Sequence, residues 1–197
     1  YLYQDRQGQW VGLNSEVLAT ISRMTGLQFT YLPTRSIAQG LDILRRGDAD
    51  MSTTLSETVE RKAFLHFSHS FGGQGWVFIV RSEDMPLGAL DDLAGRTLAL
   101  PAEHALESSI REDYPHITLR LVKNFEEARE LVIRGEADAT IDSEVGAYRA
   151  VGRYPAGVLK VGRSVEGKWS PDRFAVSVNQ PHLLSILNKA LEAYPVA

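Results

Sequence analysis

The alternation of apolar and polar positions predicts the same order of strands and helices in both halves of the chain. After an opening strand end and turn in residues 1–12, the first half is predicted to contain a helix ended by Gly26, a strand at 29–32, a helix ended by Gly47 and a strand at 51–55. The second half is predicted to contain strands at 97–100, 118–122 and 139–141, with helices at 106–112 and 125–134. This β-α-β-α-β order indicates an α/β fold with parallel sheets covered by helices, which bind ligands at the carboxyl ends of their strands.

One nine-residue pattern occurs twice. Residues 44–52 read Leu-Arg-Arg-Gly-Asp-Ala-Asp-Met-Ser, and residues 132–140 read Val-Ile-Arg-Gly-Glu-Ala-Asp-Ala-Thr. In both copies Arg-Gly follows a run of apolar residues at helical spacing, so the Arg is predicted in the last helical turn and Gly47 and Gly135 as left-handed caps. The repeat therefore predicts two similar lobes.

Two segments are predicted to carry the chain between these lobes. Three glycines in residues 72–75 precede an apolar strand at 76–80, and the apolar run 174–178 is the expected return strand. The helix expected at 183–193 would then pack on the first lobe.

These features give predicted boundaries. We predict lobe 1 at 1–73 plus 176–197 and lobe 2 at 76–173, with hinges near 72–75 and 171–175. The alternative for the glycine cluster is an ordinary tight loop.

Composition excludes several classes of function. With 21 basic and 25 acidic residues the net charge is −4, so nucleic acid is not an expected partner. The segment contains no apolar run of membrane-spanning length and no signal-peptide pattern, so we expect any anchor or signal to lie outside it. The absence of cysteine excludes disulfides, zinc–thiolate sites and thiol catalysis.

No catalytic, cofactor or metal motif is predicted. The sequence has no Gly-x-Ser-x-Gly elbow, no phosphate-binding loop and no Gly-x-Gly-x-x-Gly pattern. His66 and His69 have a spacing that chelates a metal on a helix, but their segment is predicted to be extended, where residues three apart point to opposite faces. We therefore expect no catalytic residues, no metal and no cofactor.

Residues 53–61 are the strongest candidate for ligand chemistry. They read Thr-Thr-Leu-Ser-Glu-Thr-Val-Glu-Arg, after a predicted strand and at the start of a predicted helix. Hydroxyls, backbone N–H groups and the Arg61 guanidinium would converge there, which suits a small carboxylate. The alternative is a helix capped by Ser56 or Thr58, with Arg61 in solvent.

The same segment, followed by Leu-His-Phe-Ser at 65–68, resembles the signature of family 3 bacterial extracellular solute-binding proteins. Further matches are Trp-Val-Gly-Leu-Asn-Ser-Glu-Val-Leu at 10–18, Leu-Asp-Asp-Leu-Ala-Gly-Arg-Thr-Leu-Ala at 90–99, and both repeats, in the order of the family. The resemblance implies the type II periplasmic binding protein, or Venus-flytrap, fold. In that fold two lobes joined by two crossover strands close on an amino acid or a similar small solute.

The resemblance also implies roles for individual residues. Arg61 would hold the ligand carboxylate, with hydrogen bonds from Thr54 and Ser56 and with Thr53 beside them.

Two further positions match the family less closely. Asn14 stands where an Asp is common, and Asp142 lies near the usual acidic partner of an α-ammonium group. Because the chain is one residue short in this region, Glu144 is the alternative partner.

The second lobe departs from the family at the start of its first helix. Glu103-His104-Ala105 replaces a common Gly-Ser-Thr, and Glu103 would repel an anionic ligand by roughly 1 kcal/mol at surface-like dielectric unless it points away or pairs with Arg35. Glu103 is also expected to cap the helix itself, which would leave His104 to titrate near neutral pH and make closure pH-sensitive. In the alternative, both side chains face solvent and the backbone N–H groups bind the ligand.

Among family members, the Glu-Arg-x-x-x-Leu-His-Phe-Ser pattern at 60–68 and the altered helix start resemble those of the group linked to sensor histidine kinases. We therefore expect an extracytoplasmic sensory domain for a carboxylate-bearing solute, anchored at the inner membrane. Flanking transmembrane and kinase modules are its expected partners, and a homodimer would form through the full-length protein. The first alternative is a free periplasmic subunit of an amino-acid ABC transporter, with a permease as partner. The second is a periplasmic enzyme, such as a dehydratase, or a lytic-transglycosylase regulatory domain on the same fold.

Overall fold

Two units of the chain each enclose a hydrophobic core of their own. The computed structural model describes residues 3–4, 6–7, 10–11, 13–53 and 55–193. Unit 1 comprises Tyr1–Thr34, Gly40–Gly73 and Pro171–Ala197, and unit 2 comprises Arg35–Gln39 and Gln74–Ser170. The sequence-based lobe boundaries differ from these units mainly at residues 35–39, which belong to unit 2.

The helices and strands follow one another in a mixed α/β order. In the first part of the chain they are β1 (Tyr3–Gln4), β2 (Trp10–Val11), α1 (Leu13–Thr25), α2 (Ile37–Arg45), β3 (Met51–Ser52), β4 (Leu65–Phe67) and β5 (Gly73–Arg81). The remainder are β6 (Thr97–Pro101), α3 (Glu107–Asp113), β7 (Thr118–Val122), α4 (Phe125–Ile133), β8 (Ala139–Ser143), α5 (Glu144–Val151), β9 (Leu159–Pro171), β10 (Ala175–Ser177) and α6 (Pro181–Ala193).

Unit 1 contains a three-stranded sheet in the order β3-β10-β4, with antiparallel pairing on both sides of β10. Val176 at the centre of β10 lies opposite Met51 on one side and His66 on the other. The core beside the sheet combines apolar side chains of α1, of β10 and the residue before it, and of α6, among them Val17, Leu18, Ile21, Phe174, Val176 and Leu187. The prediction that the C-terminal helix packs on the first lobe is confirmed.

The predicted strand at 29–32 is wrong, because residues 26–34 form neither helix nor strand. Phe29 and Tyr31 are half-buried against the unit 1 core, whereas Thr30 and Leu32 are exposed. The alternation of buried and exposed side chains in this segment thus comes from an irregular chain that packs one side on the core, and not from a strand in a sheet. The described pairing of unit 1 is correspondingly antiparallel, in contrast to the parallel sheet expected for this half.

Unit 2 is built on a five-stranded sheet in the order β7-β6-β8-β5-β9. Strand β6 is parallel to both of its neighbours, and β5 is antiparallel to β8. Along β5 the side chains alternate between two cores: Trp76, Phe78 and Val80 enter the one that α3 covers, and Val77 and Ile79 enter the one under α4 and α5. The strands and helices predicted between residues 97 and 141 are confirmed with boundary shifts of up to two residues, while α5 and β9 were not predicted.

Both copies of the repeat end a helix as expected. Gly47 follows α2 with φ +77°, and Gly135 follows α4 with φ +76°. Since L-residues with a Cβ rarely adopt this conformation, glycine lets the chain turn directly from helix to strand at both places.

Candidate functional site

Residues 53 and 55–60 of unit 1 form a loop, the loop 53–60, between β3 and a single 3-10 turn at Arg61–Ala63. The predicted start of a helix in this segment is wrong, and so is its alternative capping by Ser56 or Thr58. Leu65 is only 1% exposed and begins β4, so the chain returns to the sheet after three residues of helical turn. Any anion bound at this loop would therefore be held by side chains and local backbone groups rather than by a helix terminus.

Arg61 is buried and folded back onto this loop. Its side chain is 5% exposed, and Nη1 donates to the Ser56 carbonyl oxygen at 2.7 Å. The backbone N–H of Arg61 donates to Thr58 Oγ1 at 3.2 Å. The expected alternative of a solvated Arg61 is wrong, because a cation this deeply buried requires hydrogen-bonding partners.

Asn14 lies at the opposite end of the same loop. The side chain is 1% exposed, and Nδ2 donates to the Thr53 carbonyl oxygen at 2.8 Å. Asn14, Thr53, Ser56 and Arg61 are thus gathered around one loop of unit 1, while Thr54 lies outside the described residues.

Glu57 in the middle of the loop connects it to two cations that the sequence did not suggest. Its carboxylate approaches Lys62 Nζ at 2.8 Å and Arg173 Nε at 3.4 Å, the latter without hydrogen-bond alignment. Arg173 in turn donates from Nη1 to the Ser68 carbonyl oxygen at 2.9 Å. Because Arg173 is 116 positions from Glu57, no spacing rule could have found this pair.

In unit 2, Glu103 has a left-handed backbone with φ +64°, the only positive φ at a non-glycine among the described residues. Its N–H donates to Glu107 Oε1 at 2.9 Å, and α3 begins at Glu107. The expectation that Glu103 caps the helix is wrong, since the N-cap position of α3 is Leu106, three residues later, and no side chain caps it. A positive φ also explains why a glycine suits this position, because a Cβ adds roughly 1 kcal/mol of strain there.

His104 is a buried packing residue. It is 3% exposed, Nδ1 accepts from the Leu106 N–H at 3.0 Å, and Nε2 lies 3.2 Å from the Ile141 carbonyl oxygen. The ring packs against Trp76 and Phe125, with centroids 4.9 and 5.7 Å away. The neutral tautomer with its proton on Nε2 satisfies both bonds. His104 is therefore buried and bonded to backbone groups, which corrects the expectation of a solvent-facing side chain.

Asp142 sits at the end of β8 against the start of α5. Its Oδ1 accepts from the Ser143 N–H at 2.7 Å, and a Cβ on Gly146 would lie only 2.8 Å from that oxygen. Burial raises the pKa of Asp142 to about 6, partly offset by the Ser143 N–H and the charge of Arg129. The side chain is thus closely confined, whereas Glu144 in the first turn of α5 is exposed.

Arg129 is a second buried cation that the sequence did not single out. It is 9% exposed, and Nε donates to Tyr154 Oη at 3.2 Å. Arg35, by contrast, is exposed, and its N–H donates to Gln39 Oε1 at 2.7 Å. A pairing of the Arg35 side chain with Glu103 stays a prediction.

Unit 2 also has an open groove of about 540 Å³ beside the carboxyl ends of β6 and β7. Its lining is Ser36, Ala38, Ala102, Arg120, Leu121, Val122, Lys123 and Glu127. Two cations and one carboxylate line it, and that carboxylate already accepts from the Lys123 N–H at 3.0 Å. The groove is therefore compatible with an anionic solute.

The part of the chain that the structure describes contains neither a metal-binding cluster nor a membrane-spanning helix. No three His, Cys, Asp or Glu side chains there group closely enough to hold a metal ion. No helix there has both the length and the apolar character needed to cross a bilayer.

Comparison with known proteins identifies the family. The family model described as bacterial extracellular solute-binding proteins, family 3, matches residues 1–195. The virulence sensor protein BvgS of Bordetella pertussis is 33% identical over 184 residues, which cover 93% of this chain and 15% of BvgS. A probable amino-acid ABC transporter-binding protein of Haemophilus influenzae is 24% identical over 195 residues, covering 98% of this chain and 74% of that protein.

A solved relative supports the same assignment. The crystal structure of the B. pertussis BvgS periplasmic VFT2 domain superposes with a TM-score of 0.87 at 30% identity, covering 100% of this chain and 83% of the other. This confirms the predicted Venus-flytrap fold, and the family match confirms a binding domain in preference to an enzyme. The family is extracellular and the solved domain periplasmic, so the chain functions outside the cytoplasm. The chain spans only about 15% of the BvgS sensor proteins it matches. It belongs to the family 3 bacterial extracellular solute-binding proteins.

Proposed function

We propose that this chain is the ligand-sensing domain of a membrane-anchored sensor histidine kinase and that it binds an amino acid or another small carboxylate-bearing solute. The observation that carries the proposal is the greater similarity to a sensor protein than to a transport protein. BvgS is 33% identical over 93% of the chain, against 24% for the transporter-binding protein. Because the chain spans a small part of BvgS, transmembrane and kinase modules are proposed for the rest of the full-length protein.

The proposed anion site is the loop 53–60 with Arg61. Burying the Arg61 guanidinium costs desolvation free energy, which hydrogen-bonding partners such as the Ser56 carbonyl offset. A ligand carboxylate would be a further partner of the same kind. Hydroxyls of Thr53, Thr54 and Ser56 would donate beside it. Cation and hydroxyls on one short loop support this site above the others.

A second part of the site is proposed at Asp142, which would accept from a ligand ammonium group. Its carboxylate is confined near α5 and, with a pKa of about 6, is largely charged at pH 7. Glu103 and Arg35 are proposed as further contributors, the Arg neutralising the Glu when an anion is bound. His104 is excluded from the proposed site because both ring nitrogens face backbone groups.

The proposed response is closure of two lobes, 1–73 plus 176–197 and 76–173, about hinges near 72–75 and 171–175. The chain passes from one unit to the other at 73/74, beside three glycines, and at 170/171, and both passages lie close to the proposed hinges, which supports such a motion. The signal would pass to the membrane through the flanking chain.

Ligand binding is tested by a thermal-shift screen of the purified domain against amino acids and organic acids. A ligand at 100 times its dissociation constant adds about 2.7 kcal/mol of stability, which is readily detected. Arg61→Ala should lose the shift, whereas Arg46→Ala should keep it, because Arg46 is an exposed cation paired with Asp42 and Asp48. Equal binding by wild type and Arg61→Ala would overturn the assignment of the anion site.

The alternative role is a free subunit of an amino-acid ABC transporter, favoured by the 74% coverage of the transporter-binding protein. Full-length protein expressed from its own gene separates the two. A sensor should fractionate with membranes and autophosphorylate on ATP, whereas a transport subunit should do neither and should stimulate uptake through a permease.

A further inference from the structure

Asn14 ties helix α1 to the beginning of the loop 53–60. It is the second residue of α1, a helix held in the unit 1 core by Val17, Leu18 and Ile21. From this fixed base, Asn14 Nδ2 reaches the Thr53 carbonyl oxygen at 2.8 Å. The start of the loop is thereby attached to the core through one side chain.

The chemistry of this contact requires an amide. A backbone carbonyl only accepts, so the atom that faces it must donate, and Nδ2 is the donor of the Asn side chain. Oδ1 is buried and, among the described residues, has no hydrogen-bond partner. The polar role of the side chain is thus a single donated bond, which the isosteric Asp loses when it is ionised.

The loop needs such an attachment because regular structure does not hold it. Residues 53 and 55–58 belong to neither helix nor strand. Arg61 fastens the Ser56 carbonyl at 2.7 Å, and Leu55, which is 8% exposed, anchors the chain between the two carbonyls. Asn14 and Arg61 therefore hold the first half of the loop, at Thr53 and at Ser56, with two bonds from side chain to carbonyl.

We propose that Asn14 is a positioning residue that orders the loop 53–60 for its anion, and not a direct ligand contact as the sequence suggested. Fixing Thr53 keeps the loop hydroxyls oriented toward the anion before it arrives, so less conformational entropy is lost on binding. The purpose of this ordering, which is anion binding by the loop, rests on the proposed function. The ordering itself needs no ligand and is tested without one.

The test is hydrogen exchange by mass spectrometry on wild type, Asn14→Asp and Asn14→Ala at pH 5 and pH 8, corrected for intrinsic exchange rates. Peptides from α6 and β8 report on the rest of unit 1 and on unit 2. At pH 8 an Asp carboxylate cannot donate, so the loop should exchange about tenfold faster, equivalent to one lost hydrogen bond. At pH 5 a buried Asp is protonated, donates to Thr53 and should restore protection close to wild type. Asn14→Ala should exchange fast at both pH values.

Three results would overturn the proposal. These are unchanged loop exchange in Asn14→Asp at pH 8, identical behaviour of the Asp and Ala variants at both pH values, or an equal increase in α6, which would mean that Asn14 supports the whole unit. The variants also separate this proposal from the proposed function, with L-glutamate, L-glutamine and succinate as probes. Ordered exchange without binding of any probe would leave the positioning role intact and count against the anion site. Tight binding of a probe that is unaffected by Asn14→Ala would support the anion site and count against the positioning role of Asn14.

Discussion

Gly47 and Gly135 occupy equivalent positions in the two units. Each lies two residues past the last residue of a helix, and the residue after it donates a backbone hydrogen bond to the carbonyl five positions earlier, Asp48 to Ile43 at 3.0 Å and Glu136 to Leu131 at 2.9 Å. This is the bond pattern of a Schellman cap. The repeated sequence therefore encodes a repeated helix ending in atomic detail.

Replacing either glycine by alanine should cost a similar free energy. Apart from the glycine and its chain neighbours, no atom of the described residues lies within 4 Å of the methyl group that alanine would add at either site, so the penalty is the left-handed backbone alone, about 1 to 2 kcal/mol. Gly40→Ala is the matched control, because Gly40 is helical and its added methyl would meet only Thr34 at ordinary contact distance. That variant should be neutral or stabilising by up to about 1 kcal/mol in urea unfolding. A destabilised Gly40→Ala, or unaffected cap variants, would contradict this account.

Arg61→Ala should reduce both ligand binding and stability. Loss of the charged partner is expected to weaken binding of a carboxylate by about 2 to 5 kcal/mol. The released Ser56 carbonyl adds a stability loss of about 1 to 3 kcal/mol, which the sequence alone did not predict. Calorimetric binding and urea unfolding measure the two effects, and Arg46→Ala serves as control for both.

His104→Ala should destabilise unit 2 by about 2 to 4 kcal/mol, because the Leu106 N–H and the Ile141 carbonyl lose their partner inside the core. His116 is exposed, so His116→Ala should change stability by less than about 0.5 kcal/mol. Thermal unfolding of both variants makes the comparison. Equal, small effects would return His104 to the surface role expected from the sequence.

Asp142 should make the domain less stable as pH rises from about 4 to about 6. Burial raises its pKa in the folded state, so the folded chain holds the proton more tightly than the unfolded chain does, and that advantage disappears once pH exceeds the folded pKa of about 6. Asp142→Asn removes the charge and should be more stable than wild type by on the order of 1 to 3 kcal/mol at pH 7, with little difference at pH 4. Glu144→Gln, a change at the exposed neighbour, should show no such pH dependence. Urea unfolding from pH 4 to 8 distinguishes these outcomes, and a constant difference between Asp142→Asn and wild type would refute the prediction.

Glu57 and Arg173 should be energetically coupled. Both side chains are about one-third exposed, so a double-mutant cycle with Glu57→Gln and Arg173→Gln should give about 0.5 to 1 kcal/mol. The more exposed pair Asp42 and Arg46 is the control, with an expected coupling near zero. Equal coupling free energies in the two pairs would show that the contact between Glu57 and Arg173 stabilises the domain no more than an ordinary surface ion pair.

The sequence predicts those parts of the fold that depend on local pattern. The helix caps at Gly47 and Gly135, and the strands between residues 97 and 141, follow from glycine chemistry and apolar periodicity. The strand at 29–32 failed because Phe29 and Tyr31 bury one side of an irregular segment, a pattern identical to that of a strand.

The candidate site was predictable in composition and not in geometry. Its residue types identified Arg61, but burial and the bond to Ser56 depend on a turn that ends when β4 begins. His104 was misplaced because its environment comes from Trp76, Phe125 and Ile141, which are distant in sequence. Such long-range contacts leave no periodic signal in one sequence.

The central position of β10 has a consequence for the order in which the chain acquires structure on the ribosome. Unit 2 draws nearly all of its residues from one continuous stretch that ends at Ser170, so its sheet can close as soon as that stretch has emerged. The sheet of unit 1 has no middle strand until residues 175–177 appear, more than a hundred residues after β3. The unit of this domain that is made first is therefore completed last, and nascent unit 1 keeps Met51 and Leu65 without their sheet neighbour until β10 has emerged.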